Sequence, residues 1–245
     1  MEDTMRTGVE EEVQEEVQGS SYFKGLTRRD YIVKAHEIIQ EEGIQAVSIR
    51  RIAKELDCSS ASLYRHFENL SELLYYAELR TLQGYILSLN QAEKSWDNVW
   101  KVYVGIWDCY AREAFLHPEA YNLLFFEYNN EKLKNSTVEY YEMFPEDIAH
   151  TNRFFYRMLR TSDFMSRDFE ICKKCITSNA ITYEKAVQLN RIVCLLFEGY
   201  FKKVLDEGIR KEEISDRVKL LIDDIDTIVM SLAKDLKGYK GYRSV

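Results

Sequence analysis

Proline occurs only twice in this chain, at Pro118 and Pro145, and elsewhere apolar residues return at every third or fourth position. A proline inside a helix removes an N–H and clashes with the preceding turn, so its scarcity leaves long stretches free to be helical. Leu, Glu, Lys, Ile and Ala are abundant, and no long stretch alternates apolar with polar residues at the period of a strand. The sequence therefore predicts an all-α fold, and 46% hydrophobic residues over 245 positions suffice to bury a core. Apolar runs such as Val193–Phe197 are far shorter than the roughly 18 residues of a membrane span. The acidic N-terminus does not read as a signal peptide. The expectation is a soluble, cytoplasmic protein with no membrane partner. Five scattered cysteines, an odd number, point to reduced thiols and away from a disulfide framework.

A formal charge of -8 argues against nucleic-acid binding only until it is located. Residues 1–23 carry a net -6, residues 24–80 carry nine basic and nine acidic side chains, and residues 81–245 carry a net -2. The acidity is largely that of the first 23 residues, which show little apolar periodicity and read as a solvated, poorly ordered arm.

The folded part opens with Thr27 as N-cap and Asp30 three positions on. Tyr31, Ala35, Ile38 and Ile39 then share one face, and Gly43 closes the helix. Ser48 caps a short second helix with Ile49, Ile52, Ala53 and Leu56 inward. After the break Asp57-Cys58-Ser59, a third short helix runs to about Phe67, with Leu63 and Phe67 inward and Ala61, Ser62, Tyr64 and Arg65 outward. Two short helices joined so tightly must cross steeply, as in a helix-turn-helix. Asn69 and Glu72 form a further capping box that opens a long helix through Leu82. The last two helices are predicted over Thr182 to about Gly208 and Ser215 to about Lys237. The domains expected are an arm over 1–23, a three-helix DNA-binding unit over 24–72, and a larger helical bundle over 73–245.

The stretch Thr27–Leu73, above all Ser48-Ile-Arg-Arg-Ile-Ala-Lys-Glu-Leu-Asp-Cys-Ser-Ser-Ala-Ser-Leu-Tyr-Arg-His-Phe67, closely resembles the DNA-binding domain of the TetR family of repressors. The resemblance implies that the third helix enters the major groove of double-stranded operator DNA, with Ser60, Ala61, Ser62, Tyr64 and Arg65 facing base edges. It also implies phosphate contacts from Thr27, Arg28, Ser48, Tyr64 and His66, with Arg50 able to reach either. The chemistry agrees: hydroxyls donate or accept, the Ala61 methyl can meet a thymine methyl, and Arg65 can pair with guanine. Two positions depart from the family pattern. Asp57 stands where glycine is common, at a position that usually needs positive φ. Leu70 replaces a frequent lysine, removing one phosphate anchor.

The same resemblance implies a ligand-binding and dimerisation bundle that moves the DNA-reading heads of a homodimer when a small-molecule effector binds. The segment 96–160 is dense in aromatics, most of them expected core; Tyr103, Trp107, Tyr110, Tyr121, Phe125 and Phe155 are the residues predicted to line a pocket for an apolar or aromatic effector. Leu189, Val193, Leu196, Tyr200, Ile225 and Val229, spaced as a bundle seam, are predicted to dimerise, with intrachain burial as the alternative. Cys172-Lys-Lys-Cys175 lacks a second ligand pair, and no catalytic or phosphate-loop motif is present. No metal, cofactor or enzyme activity is therefore expected. The competing reading is a TetR-like dimer whose C-terminal half is a scaffold for dimerisation or a protein partner, without an effector. A cavity of a few hundred Å³ in the aromatic segment separates the two.

Overall fold

The computed structural model describes residues 25–127, 135–161 and 163–242. The expected N-terminal arm lies outside the described residues. Twelve α-helices occur among them: α1 (Arg28–Glu42), α2 (Ile49–Glu55), α3 (Ser60–Tyr64), α4 (Leu70–Leu79), α5 (Leu82–Ala92), α6 (Val99–Leu116), α7 (Pro118–Asn122), α8 (Ser136–Met143), α9 (Arg153–Leu159), α10 (Phe164–Thr177), α11 (Tyr183–Glu207) and α12 (Lys211–Leu232). A single π-helical turn, Leu123–Glu127, follows α7. The described residues contain no strand, and none of their helices is long and apolar enough to cross a membrane.

Local chemistry sets the helix ends. The Asp30 carboxylate accepts from both the N–H and the hydroxyl of Thr27, each at 2.7 Å, and Gly43, at φ 86°, stops α1 with its N–H on the Ile39 carbonyl. Ser48 Oγ accepts from Arg51 N at 3.2 Å to start α2. Asp57 turns the chain at φ 49°, the left-handed conformation expected where relatives of this pattern have glycine. Ser59 caps α3, which ends earlier than the sequence predicts because His66 N–H and Phe67 N–H both close onto the Leu63 carbonyl.

The predicted long fourth helix is broken. Arg80 N–H and Thr81 N–H bond carbonyls three residues back, and the Thr81 hydroxyl donates to buried Glu78 at 2.9 Å, so the chain re-aims before α5. The last helix begins at Lys211, ahead of the predicted Ser215, because Glu213 accepts from the Arg210 side chain and N–H. It stops at Leu232, where Lys234 and Asp235 turn their N–H groups onto Ala180 O.

α4 packs on α1 in the head and on α8 in the body. The body is built around α6, which meets α5, α10, α11 and α12 and is buried along most of its length. A Cβ at Gly105 would stand 2.3 Å from the Trp96 ring, so only glycine lets that indole lie on α6.

The seam predicted for dimerisation is largely internal. Leu189, Val193, Ile225 and Val229 are fully buried within their own chain, where α11 and α12 pack on each other and on α6. Helical periodicity marks a buried face without naming what covers it, and here the chain itself supplies the cover. Leu196 and Tyr200 are half-buried at the edge of that core.

The left-handed residue at the helix-turn-helix corner yields a stability prediction. Asp57→Val should lower stability by roughly 1–2 kcal/mol, and Asp57→Gly should be tolerated, as read by urea denaturation.

Candidate DNA-reading face and interior core

Around α3 the inward and outward residues separate cleanly. Tyr31, Ile52, Leu63 and Phe67 are buried together, and the Tyr31 hydroxyl donates to Ser62 Oγ at 2.9 Å, tying α1 to α3. Ala61, Tyr64 and Arg65 are exposed, Tyr64 to 55%; Ser60, Ser62 and His66 are half-buried. Arg65 donates to Ser62 Oγ at 3.0 Å, which holds its guanidinium over the outer face of the helix. The His66 ring tilts against Tyr31 at 5.2 Å. Arg50 is exposed at the start of α2, whereas Arg51 is engaged by Glu42 and Glu55. Thr27 and Ser48 are exposed and cap the first two helices.

Arg28 does something the sequence did not indicate. Its guanidinium lies between the rings of Phe67 (4.9 Å) and Tyr76 (4.2 Å), pairs with Glu72 at 2.5 Å, and reaches Glu139 of α8 at 3.7 Å. Tyr76 donates to the same Glu139 at 2.6 Å, and burial, with Glu139 as a further contributor, pushes the phenol up to about 12. Arg29 binds Glu146 and donates to the Met143 carbonyl at 2.7 Å. These contacts fasten α1 to the body through α4 and α8 and engage the Arg28 guanidinium within the chain. Its acidic partners, more than 40 residues away in sequence, carry no local signal that would have found them.

The aromatic segment converges on α6. Trp107 and Tyr110 line a cavity with Tyr85, Phe164, Arg167 and Asp168; Tyr121 and Phe125 lie against Tyr110 at 5.2 and 5.7 Å. Tyr103 reaches the Asp168 carboxylate at 3.4 Å. Phe155 is not part of this group: it packs on Trp96 and Phe154. The cavity measures about 20 Å³, room for a water and not for an effector. This cavity is smaller than the expected pocket of a few hundred Å³. Larger hollows of about 780 and 600 Å³ are clefts of mixed polarity, one beside Lys101 and Lys237 and one beside Glu42 and Lys211.

Polar groups lie deep in this core. Asp168 accepts from Trp107 Nε1 at 2.9 Å and from Asn190 Nδ2 at 2.8 Å, yet burial pushes its carboxyl up to about 7. Arg167 caps the end of α9 through the carbonyls of Leu159 (3.1 Å) and Thr161 (2.8 Å). A sequence signal existed: Asp168 shares the helical stripe of Phe164, Ile171, Cys172 and Cys175, a carboxylate on an apolar face.

Residues 32–76 match the family model for bacterial regulatory proteins of the tetR family. The HTH-type transcriptional regulator SAR2658 of Staphylococcus aureus (strain MRSA252) is 28% identical over 179 residues, covering 73% of this chain and 92% of that protein. Over residues 32–76 the chain is TetR-like. The HTH-type transcriptional regulator SAUSA300_2515 of S. aureus (strain USA300) is 38% identical over 68 residues, 28% of this regulator and 37% of that one. In fold the regulator is similar to a protein of unknown function from Rhodococcus sp. RHA1, with a TM-score of 0.58, 17% identity, and 88% and 100% of the two chains covered. Match and geometry coincide over α1 to α4: the chain is a helix-turn-helix transcriptional regulator.

Asp168 generates a pH signature. The folded chain holds this proton more tightly than the unfolded chain, where the carboxyl titrates near 3.8, so ionisation opposes folding. The penalty is absent below about pH 4, grows as pH rises to about 7 and is constant above. Asp168→Asn removes the titration, and its stability relative to wild type should rise between about pH 5 and pH 8 in parallel urea melts. A pH-independent difference would place the carboxyl in an ordinary ionised state.

Proposed function

We propose that this regulator is a repressor that binds double-stranded operator DNA as a homodimer, with α3 of each copy in the major groove, and that a small molecule entering the C-terminal bundle releases it. The observation that carries the DNA reading is the division of α3. Leu63 is fixed in the core, while Ala61, Tyr64 and Arg65 stand on an outer face that the chain leaves uncovered. Base contacts fall to Ser60, Ala61, Ser62, Tyr64 and Arg65, and phosphate contacts to Thr27, Ser48, Arg50, Tyr64 and His66.

Dimerisation is assigned to the outward side of the last two helices. Leu195 and Leu220 are 59% and 56% exposed, and Leu196 and Tyr200 border them, with Tyr200 held by Asp224 at 2.7 Å. Gly199 lies on the same side, and a Cβ there would meet nothing within 4 Å in the single chain, so a partner helix could approach closely. In such a dimer the two α3 helices would need to meet half-sites about 34–36 Å apart.

Coupling would run through α4. Its Tyr75 bonds Thr137 and lies in the field of Arg167 in the core, and its Tyr76 meets Arg28 and Glu139 at the head. An occupant that spreads the core would shift both tyrosines and with them α1. The small size of the cavity, about 20 Å³, favours a second reading, in which the bundle is only a dimerisation or partner scaffold. Against it stand Tyr110, Tyr121 and Tyr141, whose buried hydroxyls, like Arg167 Nη1, have no partner.

Three measurements decide. Arg65→Ala should relax base preference at one operator position by about 1–3 kcal/mol, while Arg50→Ala should weaken binding to all sequences and flatten the salt slope. An unchanged footprint and salt slope in both would displace α3 from the groove. Leu195→Glu together with Leu220→Glu should yield monomers in sedimentation and abolish operator binding. Arg28→Ala, whose side chain holds the head to the body, should lower operator affinity without changing base preference.

A further inference from the structure

We infer that the interior core of this regulator is a site for an aromatic carboxylate, its anionic group seated on Arg167; the inference rests on the sensing reading given above. Arg167 is 4% exposed, and a guanidinium cannot shed its charge. Two of its nitrogens are accounted for by the carbonyls of Leu159 and Thr161, but Nη1 is buried without a partner. No ion pair to Arg167 forms among the described residues. The neighbouring Asp168 is committed elsewhere, to Trp107, Asn190 and Tyr103. The α9 carbonyls contribute only partial charge. A buried cation without a counter-ion is a costly arrangement that an anion relieves.

The phenols around it complete a donor set. Tyr85, Tyr110, Tyr121 and Tyr141 all lie within the field of the guanidinium and are buried. The hydroxyls of Tyr110, Tyr121 and Tyr141 are unpartnered. A carboxylate offers about four lone-pair sites and needs donors only, which is what one guanidinium N–H and the neighbouring unpartnered phenols can supply. A cation is repelled there, and a neutral amide answers the charge poorly. Helix capping explains two nitrogens of Arg167; it leaves the third and the three phenols unexplained.

The walls specify the remainder of the ligand. Ile106, Trp107, Phe164 and Ile171 line the cavity, an apolar slot for a ring. The Phe125 ring covers the guanidinium at 4.9 Å. Phe125 sits on the π-helical turn Leu123–Glu127 and is half-buried. Phe125 lies beside the cavity, against Tyr110 and Phe164, on an irregular turn of a kind frequent at functional sites, and is the side chain that would yield. The ligand ring would take its place over Arg167, and that displacement would enlarge a 20 Å³ void into a site.

The test uses full-length protein with benzoate, phenylacetate and salicylate as probes and benzamide as their neutral counterpart, read by calorimetry and thermal shift. The carboxylates should bind at least about tenfold more tightly than benzamide. Tyr110→Phe and Tyr121→Phe remove hydroxyls that bond nothing in the empty core, so each should melt no lower than wild type without probe yet lose about tenfold in carboxylate affinity. Arg167→Met should abolish carboxylate binding; because it also uncaps α9, the tyrosine variants carry the result if it fails to fold. Benzamide binding as well as benzoate, with the tyrosine variants indifferent, would overturn the anion assignment and leave a sensor in place. No binding by any probe, with operator affinity unmoved by all four, would remove both the assignment and the sensing reading.

Discussion

A carboxylate buried at the centre of the C-terminal bundle holds its helices in register. Asp168 on α10 takes the indole N–H of Trp107 from α6 and the amide of Asn190 from α11, so three helices share one hydrogen-bonded point inside an apolar interior. Buried polar groups are costly unless every member is satisfied, and the geometry that satisfies this one admits little sliding of α10 along its neighbours. Around it the rings of Trp107, Tyr110, Phe164 and Phe197 pack edge-on and tilted, filling space that aliphatic side chains would leave less directional. The position of α4, and through it the attitude of the head, is set against this frame.

The same core is deliberately incomplete one residue away. Asp168 is fully engaged, while Arg167 beside it keeps one nitrogen unanswered among unanswered phenols. Natural interiors seldom leave several donors orphaned together, and where they do the cost is usually offset by function. In the head, Arg28 spends its charge on Glu72, Glu139 and two aromatic rings, which ties α1 to α4 and α8, while the outer side of α3 stays uncovered by the chain.

Legibility in the sequence followed range of interaction. The caps at Thr27, Ser48 and Asn69, the corner at Asp57 and the inward pair Leu63 and Phe67 depend on neighbours within a few positions, and the structure has them as the sequence indicates. The break of the fourth helix at Arg80 and Thr81 leaves the apolar pattern continuous through Leu82, so the pattern does not show it. Phe155, predicted to line the pocket, packs on Trp96 instead, a contact across 59 positions that its spacing does not encode. Leu189, Val193, Ile225 and Val229 were recognisable as buried, but whether a second copy or the same chain buries them is not written in their spacing.

By itself, then, the sequence determined the helical class, the helix-turn-helix and the side of α3 that faces outward, because each of these is decided by contacts and periodicities a few residues long. Only the tertiary structure decided that Arg28 braces the head, that the predicted seam is internal, and that Arg167 and Asp168 meet the aromatic core. Those outcomes join residues tens of positions apart, and which partner a charge or an apolar stripe finds depends on how whole helices pack, which no local pattern encodes.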